Sequence, residues 1–117
     1  MKWMFKEDHS LEHRCMESMK IRVKYPHWIL VIMEKVSSSQ IVDIDKRKYL
    51  VPSDMAVAQF RWTIRKRIQL PSEKANFLSV YKAVPQSSLA MGQLYKKGKD
   101  EDGFSYVAYS RENTFGF

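Results

Sequence analysis

The sequence predicts an α+β domain in which a four-stranded mixed sheet is crossed by one helix, with a helical segment ahead of the first strand. Three observations carry this. Trp28-Ile29-Leu30-Val31-Ile32-Met33 is almost continuously apolar, as in a strand covered on both faces. Val57, Phe60, Ile64 and Ile68 recur at helical spacing between two pairs of strand-like stretches. Leu11, Cys15, Met19 and Val23 recur every four residues further upstream, which predicts a helix with that stripe buried. Right-handed crossover connections then leave few topologies for such a sheet.

Taken in order, Trp3, Met4 and Phe5 form an apolar knot before a helix capped by Ser10, with Glu12 in its first turn, where a negative charge suits the dipole. Glu17 and Ile21 share a flanking face. Tyr25-Pro26 ends the helix, because the residue before proline is pushed out of the helical region. Trp28 to Met33 is the central strand, Ser37 to Ser39 a loop and Ile41 to Asp45 an extended link. Tyr49 to Val51 is a second strand, with Tyr49 and Val51 on one face and Leu50 on the other. Pro52 stops it, and since proline donates nothing to a ladder, this strand belongs at an edge. Ser53-Asp54 is the expected cap of the helix running to Pro71, with Arg65, Lys66 and Arg67 mostly off its apolar face. Phe77 to Tyr81 reads as a third strand, Ser87-Ser88 as the cap of a short helix through Tyr95, Lys99 to Gly103 as a loop and Phe104 to Tyr109 as the last strand.

The chain has 117 residues, 44% of them apolar, enough for one core. Lys and Arg outnumber Asp and Glu by 20 to 13, so a net charge of +7 implies acidic partners: peptides, anionic headgroups or nucleic acid. One cysteine, Cys15, excludes an internal disulfide and fits a reducing compartment, so a cytoplasmic location is expected. No run is long and apolar enough to span a bilayer, and membrane attachment would have to be acquired.

Catalytic residues are not expected. His9, His13 and His27 are scattered, Cys15 falls on an apolar stripe, and no carboxylate pair or Gly-rich phosphate loop appears. No metal site and no cofactor is expected either. Lys46-Arg47-Lys48 and Arg65-Lys66-Arg67 fit a solvated face, a phosphate-binding surface or a peptide site. Aromatics do not repeat beside them as a single-strand binder requires, and an edge strand flanked by Lys46 and Lys48 suits an added peptide strand better.

Lys46-Arg47-Lys48-Tyr49-Leu50-Val51-Pro52-Ser53-Asp54, Ile64-Arg65-Lys66-Arg67-Ile68, Met91-Gly92-Gln93-Leu94-Tyr95, Tyr106-Val107-Ala108-Tyr109-Ser110 and the ending Phe115-Gly116-Phe117 resemble the autophagy-related ubiquitin-like modifiers over essentially the whole chain. Within that family the resemblance points to the GABA-receptor-associated subfamily and its Golgi-associated ATPase-enhancer branch. It implies the ubiquitin-like β-grasp, with an N-terminal helical segment at 1–26, the core at 27–110 and a flexible tail at 111–117 processed after Gly116.

The family's partners carry a short motif of an aromatic, two variable residues and an aliphatic, often preceded by acids. By position, the resemblance implies an aromatic pocket of Glu17, Ile21, Leu30, Ile32, Lys48, Leu50 and Phe104. It implies an aliphatic pocket of Tyr49, Val51, Pro52, Met55, Phe60 and Thr63, with Lys46, Lys48 and Arg67 drawing the acids. For Tyr49, Leu50 and Phe60, core packing is an equal reading on pattern alone. The tail Thr114-Phe115-Gly116-Phe117 resembles one from which a cysteine protease removes Phe117. The resemblance implies that Gly116 would then be activated, passed between enzyme thiols and joined to phosphatidylethanolamine.

Departures from the family pattern cluster near the groove. Tyr25-Pro26-His27-Trp28-Ile29-Leu30 lacks an acid, a basic residue and a proline, placing Trp28 among the expected peptide-binding residues. Thr63 replaces an apolar residue, Arg61 adds a charge, and Asn76, Ser79 and Ser105 replace apolar strand residues. These changes mark a diversified or engineered member. The expected function is a non-enzymatic, monomeric modifier that binds motifs of autophagy receptors and adaptors and meets a processing protease and activating and conjugating enzymes. After lipidation it would reach autophagosomal and Golgi membranes and serve autophagy and intra-Golgi traffic. The alternatives are a small basic nucleic-acid-binding domain and a peptide-binding scaffold that is not conjugated.

Overall fold

Alternation along one strand decides the architecture. In the computed structural model, which describes residues 2–35, 46–67, 77–79 and 88–110, with backbone alone at 77–79 and 110, the apolar run forms β1 (Trp28–Lys35). Its odd and even positions feed two separate cores. Around it lie α1 (Met4–Asp8), α2 (Leu11–Lys24), β2 (Lys48–Pro52), α3 (Val57–Arg67), β3 (Phe77–Ser79), α4 (Met91–Gly98) and β4 (Ser105–Ser110). The sheet runs β2-β1-β4-β3, with β1 and β4 parallel and the outer pairs antiparallel. The four-stranded mixed sheet with a helix across one face is as expected, and β2 lies at its edge.

Ile29, Val31 and Met33 pack with Val57, Phe60 and Ile64 of α3 and Met91 and Tyr95 of α4. Leu30 and Ile32 point the other way, onto Phe5, Phe104 and Tyr106. Burying a side chain of this size contributes about 1.5–3 kcal/mol. A strand with both faces covered therefore reads as unbroken apolar sequence.

The segment read as an apolar knot is helical, because its cap comes from elsewhere. Trp3 has no side-chain acceptor, and the buried Glu34 of β1 takes the Met4 and Phe5 amides at 2.7 and 2.8 Å. This docks α1 with Phe5 wholly buried.

α2 begins as expected, Ser10 Oγ accepting from the His13 amide at 3.1 Å, and ends at Tyr25. Its orientation corrects the sequence reading. The stripe Leu11, Cys15, Met19 and Val23 is not buried: Leu11, Met19 and Val23 are exposed and Cys15 is half-buried rather than a packed core thiol. Arg14 and Ser18 face inward instead. Arg14 Nε donates to Asp102 Oδ2 at 2.8 Å, and its Nη1 to the His9 carbonyl at 2.7 Å. Ser18 Oγ donates to the Asp102 carbonyl at 2.5 Å. Asp102 also accepts from the Phe104 amide and the Tyr106 hydroxyl, so a polar cluster with its partners in place outweighs the apolar stripe. At Gly103, φ is +89° and an added Cβ would lie 2.5 Å from Ser18 Oγ; only glycine lets the loop approach α2 this closely.

Ser53 and Asp54 form a turn rather than the cap of α3, which starts three residues later. The Val57 amide bonds to the Leu89 carbonyl and the Met91 amide to the Met55 carbonyl, tying the starts of α3 and α4 together. At Gly92, whose amide donates to the Ser53 carbonyl at 2.8 Å, a Cβ would strike that same oxygen. α4 starts at Met91, after the expected Ser88 cap, because Gln93 Oε1 accepts the Ala90 amide, and it continues past Tyr95 to Gly98. Ser105 is buried opposite Val31. Ile41 to Asp45, Ile68, Pro71, Asn76, the side chain of Ser79, and the tail with Gly116 and Phe117 lie outside the described residues.

Candidate functional site: an open sheet edge between two faces

The antiparallel register pairs Trp28 with Pro52, Leu30 with Leu50 and Ile32 with Lys48. Bonds from the Met33 amide to the Arg47 carbonyl and from the Ser53 amide to the His27 carbonyl identify the pairs that exchange hydrogen bonds. Alternation places Tyr49 and Val51 in that set, so the backbone groups of Lys48 and Leu50 point away from β1. Pro52, next in the outward row, has no N–H. The edge thus offers a short, defined ladder to an incoming strand.

On the α2 side of this edge is a pocket of about 250 Å³ lined by Glu17, Ile21, Tyr25, Leu30, Lys46, Lys48, Tyr49, Leu50 and Phe104. Six of the seven residues expected for the aromatic pocket are here. Ile32 is not in the wall: fully buried, it packs beneath with Phe5 and Phe104. Trp28 does not line the pocket either; it is exposed at the start of β1, where its carbonyl accepts from Arg22 Nη1 at 2.8 Å. Tyr25, Lys46 and Tyr49 complete the lining. Tyr25 was visible in the sequence only as the residue before Pro26, and its place beside the pocket follows from where α2 ends.

On the α3 side, Tyr49 meets Phe60 edge to face, with ring centroids 5.9 Å apart. Val51 and Phe60 are core residues, so the packing reading holds for Phe60, whereas Tyr49, Leu50, Pro52, Met55 and Thr63 are half-buried. Thr63 Oγ1 donates to the Gln59 carbonyl within α3, turning its polar atom back into the helix and leaving its methyl as an apolar contribution. Arg61 is half-buried, and burial first, then neighbouring Arg65, pushes its guanidinium below its ordinary range.

The rim is cationic. Lys46 Nζ sits 5.2 Å from the Tyr49 ring centre, and the Arg67 guanidinium 5.9 Å from the same ring. Arg47 pairs with Asp8 at 3.3 Å. Lys48 Nζ bonds Glu17 Oε1 at 2.5 Å across the pocket. His9 and His13 stack, 5.0 Å between centroids, beside Glu17 and Lys48. Among the described residues no three His, Cys, Asp or Glu side chains are grouped to hold a metal ion, and no helix is long and apolar enough to cross a membrane.

The fold is shared with known proteins. A family model described as "Autophagy protein Atg8 ubiquitin like" matches residues 13–116. The autophagy-related protein 8 of Pichia angusta is 54% identical over 116 residues, covering 99% of this chain and 93% of that protein. The crystal structure of Trypanosoma brucei ATG8 superposes with a TM-score of 0.91 at 43% identity, covering 99% of this chain and all of the other. Plasmodium falciparum Atg8, solved in complex with a Plasmodium falciparum Atg3 peptide, gives 0.86 at 37% identity, with 96% and 98% covered. The sheet order, the paired N-terminal helices and these matches along nearly the full length agree, and the chain belongs to the Atg8 family of ubiquitin-like autophagy proteins.

Proposed function

We propose that this protein is a lipid-conjugated adaptor of autophagy that captures short aromatic-x-x-aliphatic segments by strand addition to β2. The observation carrying the docking half is the pairing of an outward backbone row at Lys48 and Leu50 with a pocket on one side of the edge and half-buried apolar residues on the other. Two anchors three residues apart on an extended segment point to opposite faces, as an odd spacing must. One would enter the pocket beside Leu50 and the other would reach Tyr49, Met55 and Phe60. With the first anchor near Lys48 and the second near Pro52, the segment runs parallel to β2. Acids ahead of it then meet Lys46 and Lys48, and Arg67 lies near the Tyr49 face. The Atg3 peptide bound to the Plasmodium relative supports a conjugating enzyme as one such partner.

Conjugation rests on the family and the Gly116-Phe117 ending. Removal of Phe117 by a cysteine protease would expose the Gly116 carboxylate, which activating and conjugating enzymes pass to phosphatidylethanolamine. A cytoplasmic monomer would thereby join autophagosomal and Golgi membranes, consistent with the GABA-receptor-associated branch. The protein itself supplies no catalytic group to this reading.

Calorimetric titration with an acidic aromatic-x-x-aliphatic peptide tests docking. Binding lost in Leu50→Ala but not in a variant at the exposed Trp62 of α3, Trp62→Ala, supports it; equal affinity in all three proteins refutes it. Incubation with the processing and conjugating enzymes, read by intact mass, tests the tail: Gly116→Ala should block the lipid adduct and leave peptide affinity unchanged. Lipidation of that variant would overturn the assignment, and failure of the unmodified protein to lose Phe117 would leave a scaffold only.

A further inference from the structure

We propose that the outward face of α2 is a contact surface for an anionic lipid bilayer, adjoining the peptide edge at Tyr25 and independent of the lipid on the tail. The face is inverted relative to an ordinary surface helix. Arg14 and Ser18 turn inward, while Met16, Met19 and Val23 are 53%, 67% and 83% exposed. Side chains four apart form rows along a helix. One row is Leu11, Cys15, Met19 and Val23, and the row beside it is Glu12, Met16, Lys20 and Lys24.

Charge selects the occupant. From Ser18 to Met33 there is no acidic residue, while Lys20, Arg22 and Lys24 all fall in α2. Of the two carboxylates in α2, Glu12 stands at the opposite end and Glu17 is turned to Lys48. The end of the face carries aromatics suited to a headgroup layer: Tyr25 under Lys24, whose Nζ is 5.4 Å from the ring centre, and Trp28, held to α2 through Arg22. Both rings are exposed. Unbranched methionines with long lysine stems let apolar carbons enter the headgroup boundary while the ammonium groups stay with lipid phosphates. Each such lysine near an anionic surface strengthens binding roughly fivefold.

The test uses the full-length chain without conjugation, floated with phosphatidylcholine vesicles with and without phosphatidylserine. The expected result is partition onto the phosphatidylserine vesicles alone, weakening as salt rises. Lys20→Glu/Lys24→Glu and, separately, Met19→Asp/Val23→Asp should each lower partition by at least about tenfold. These positions are exposed, and unchanged circular dichroism and peptide affinity show that the variants remain folded with a working edge. Absence of partition by the unmodified chain, or partition of either variant equal to that of the unmodified chain, overturns the proposal. A dimer in solution that Met19→Asp/Val23→Asp dissolves, with no vesicle partition, assigns the face to a second copy and overturns it equally.

Discussion

Lys48 and Glu17 join across the mouth of the edge pocket, Nζ to Oε1 2.5 Å, linking β2 to α2 before any ligand arrives. The side chains are 52% and 22% exposed, so the pair is a modest latch rather than a stabilising core contact. Under the proposed docking, an acid ahead of the aromatic anchor competes with Glu17 for the same ammonium.

Glu17→Gln should therefore tighten binding of an acid-flanked peptide, by up to about fivefold at low salt. The same peptide with its acids replaced by serine should show no gain. Calorimetry on the two peptides against both proteins checks this, and equal gains would mean that Glu17 acts by shape rather than charge.

The Arg14–Asp102 pair is buried on both sides. Burial works against the charge on Arg14, but the hydrogen bond to Asp102 and surrounding negative potential hold it above its ordinary value. Asp102→Ala leaves that cation unpaired and should cost about 3–5 kcal/mol in urea unfolding. Asp102→Ala with Arg14→Met should recover part of the loss, because a neutral side chain needs no partner.

Burial first, then the hydrogen bond and charge of Asp102, hold the Tyr106 phenol well above its ordinary value of 10.0. Burial raises Tyr95 as well. A raised group keeps its proton in the folded state while the unfolded chain releases it, so its contribution is complete below about pH 10 and declines above it. Thermal midpoints should drop as pH rises past about 10, and Tyr106→Phe should flatten that fall. An equal slope in the variant would place the titration elsewhere.

Glu34 caps α1 from β1, so Glu34→Ala should loosen α1 in particular. The loss of two acceptor bonds, one buried and one partly buried, costs about 1–3 kcal/mol. Hydrogen exchange at the Met4 and Phe5 amides should accelerate more than at Ile32 or Val107 in the sheet centre, and uniform acceleration would show that α1 does not open on its own.

What the sequence disclosed follows the range of the interactions involved. β1 was legible because both its faces are apolar, and the edge position of β2 because Pro52 ends it. The pocket residues were legible through family likeness; pattern alone left Leu50 and Phe60 open, and the structure divides them, Phe60 to the core and Leu50 to the pocket wall. The buried face of α2 was misread because its decisive partner, Asp102, lies 88 residues from Arg14. α1 was missed for the same reason, its cap lying 29 residues beyond Phe5. Periodicity counts neighbours on one element, and neither contact is visible to it.

The brevity of the outward row on β2 also governs how copies of this chain behave when crowded. Two residues' worth of main-chain valence, ended by a proline and bordered by lysines, give too little purchase for one sheet to extend into another. At this edge a second copy of the chain gains little from pairing, whereas the segment proposed above brings side-chain anchors of its own.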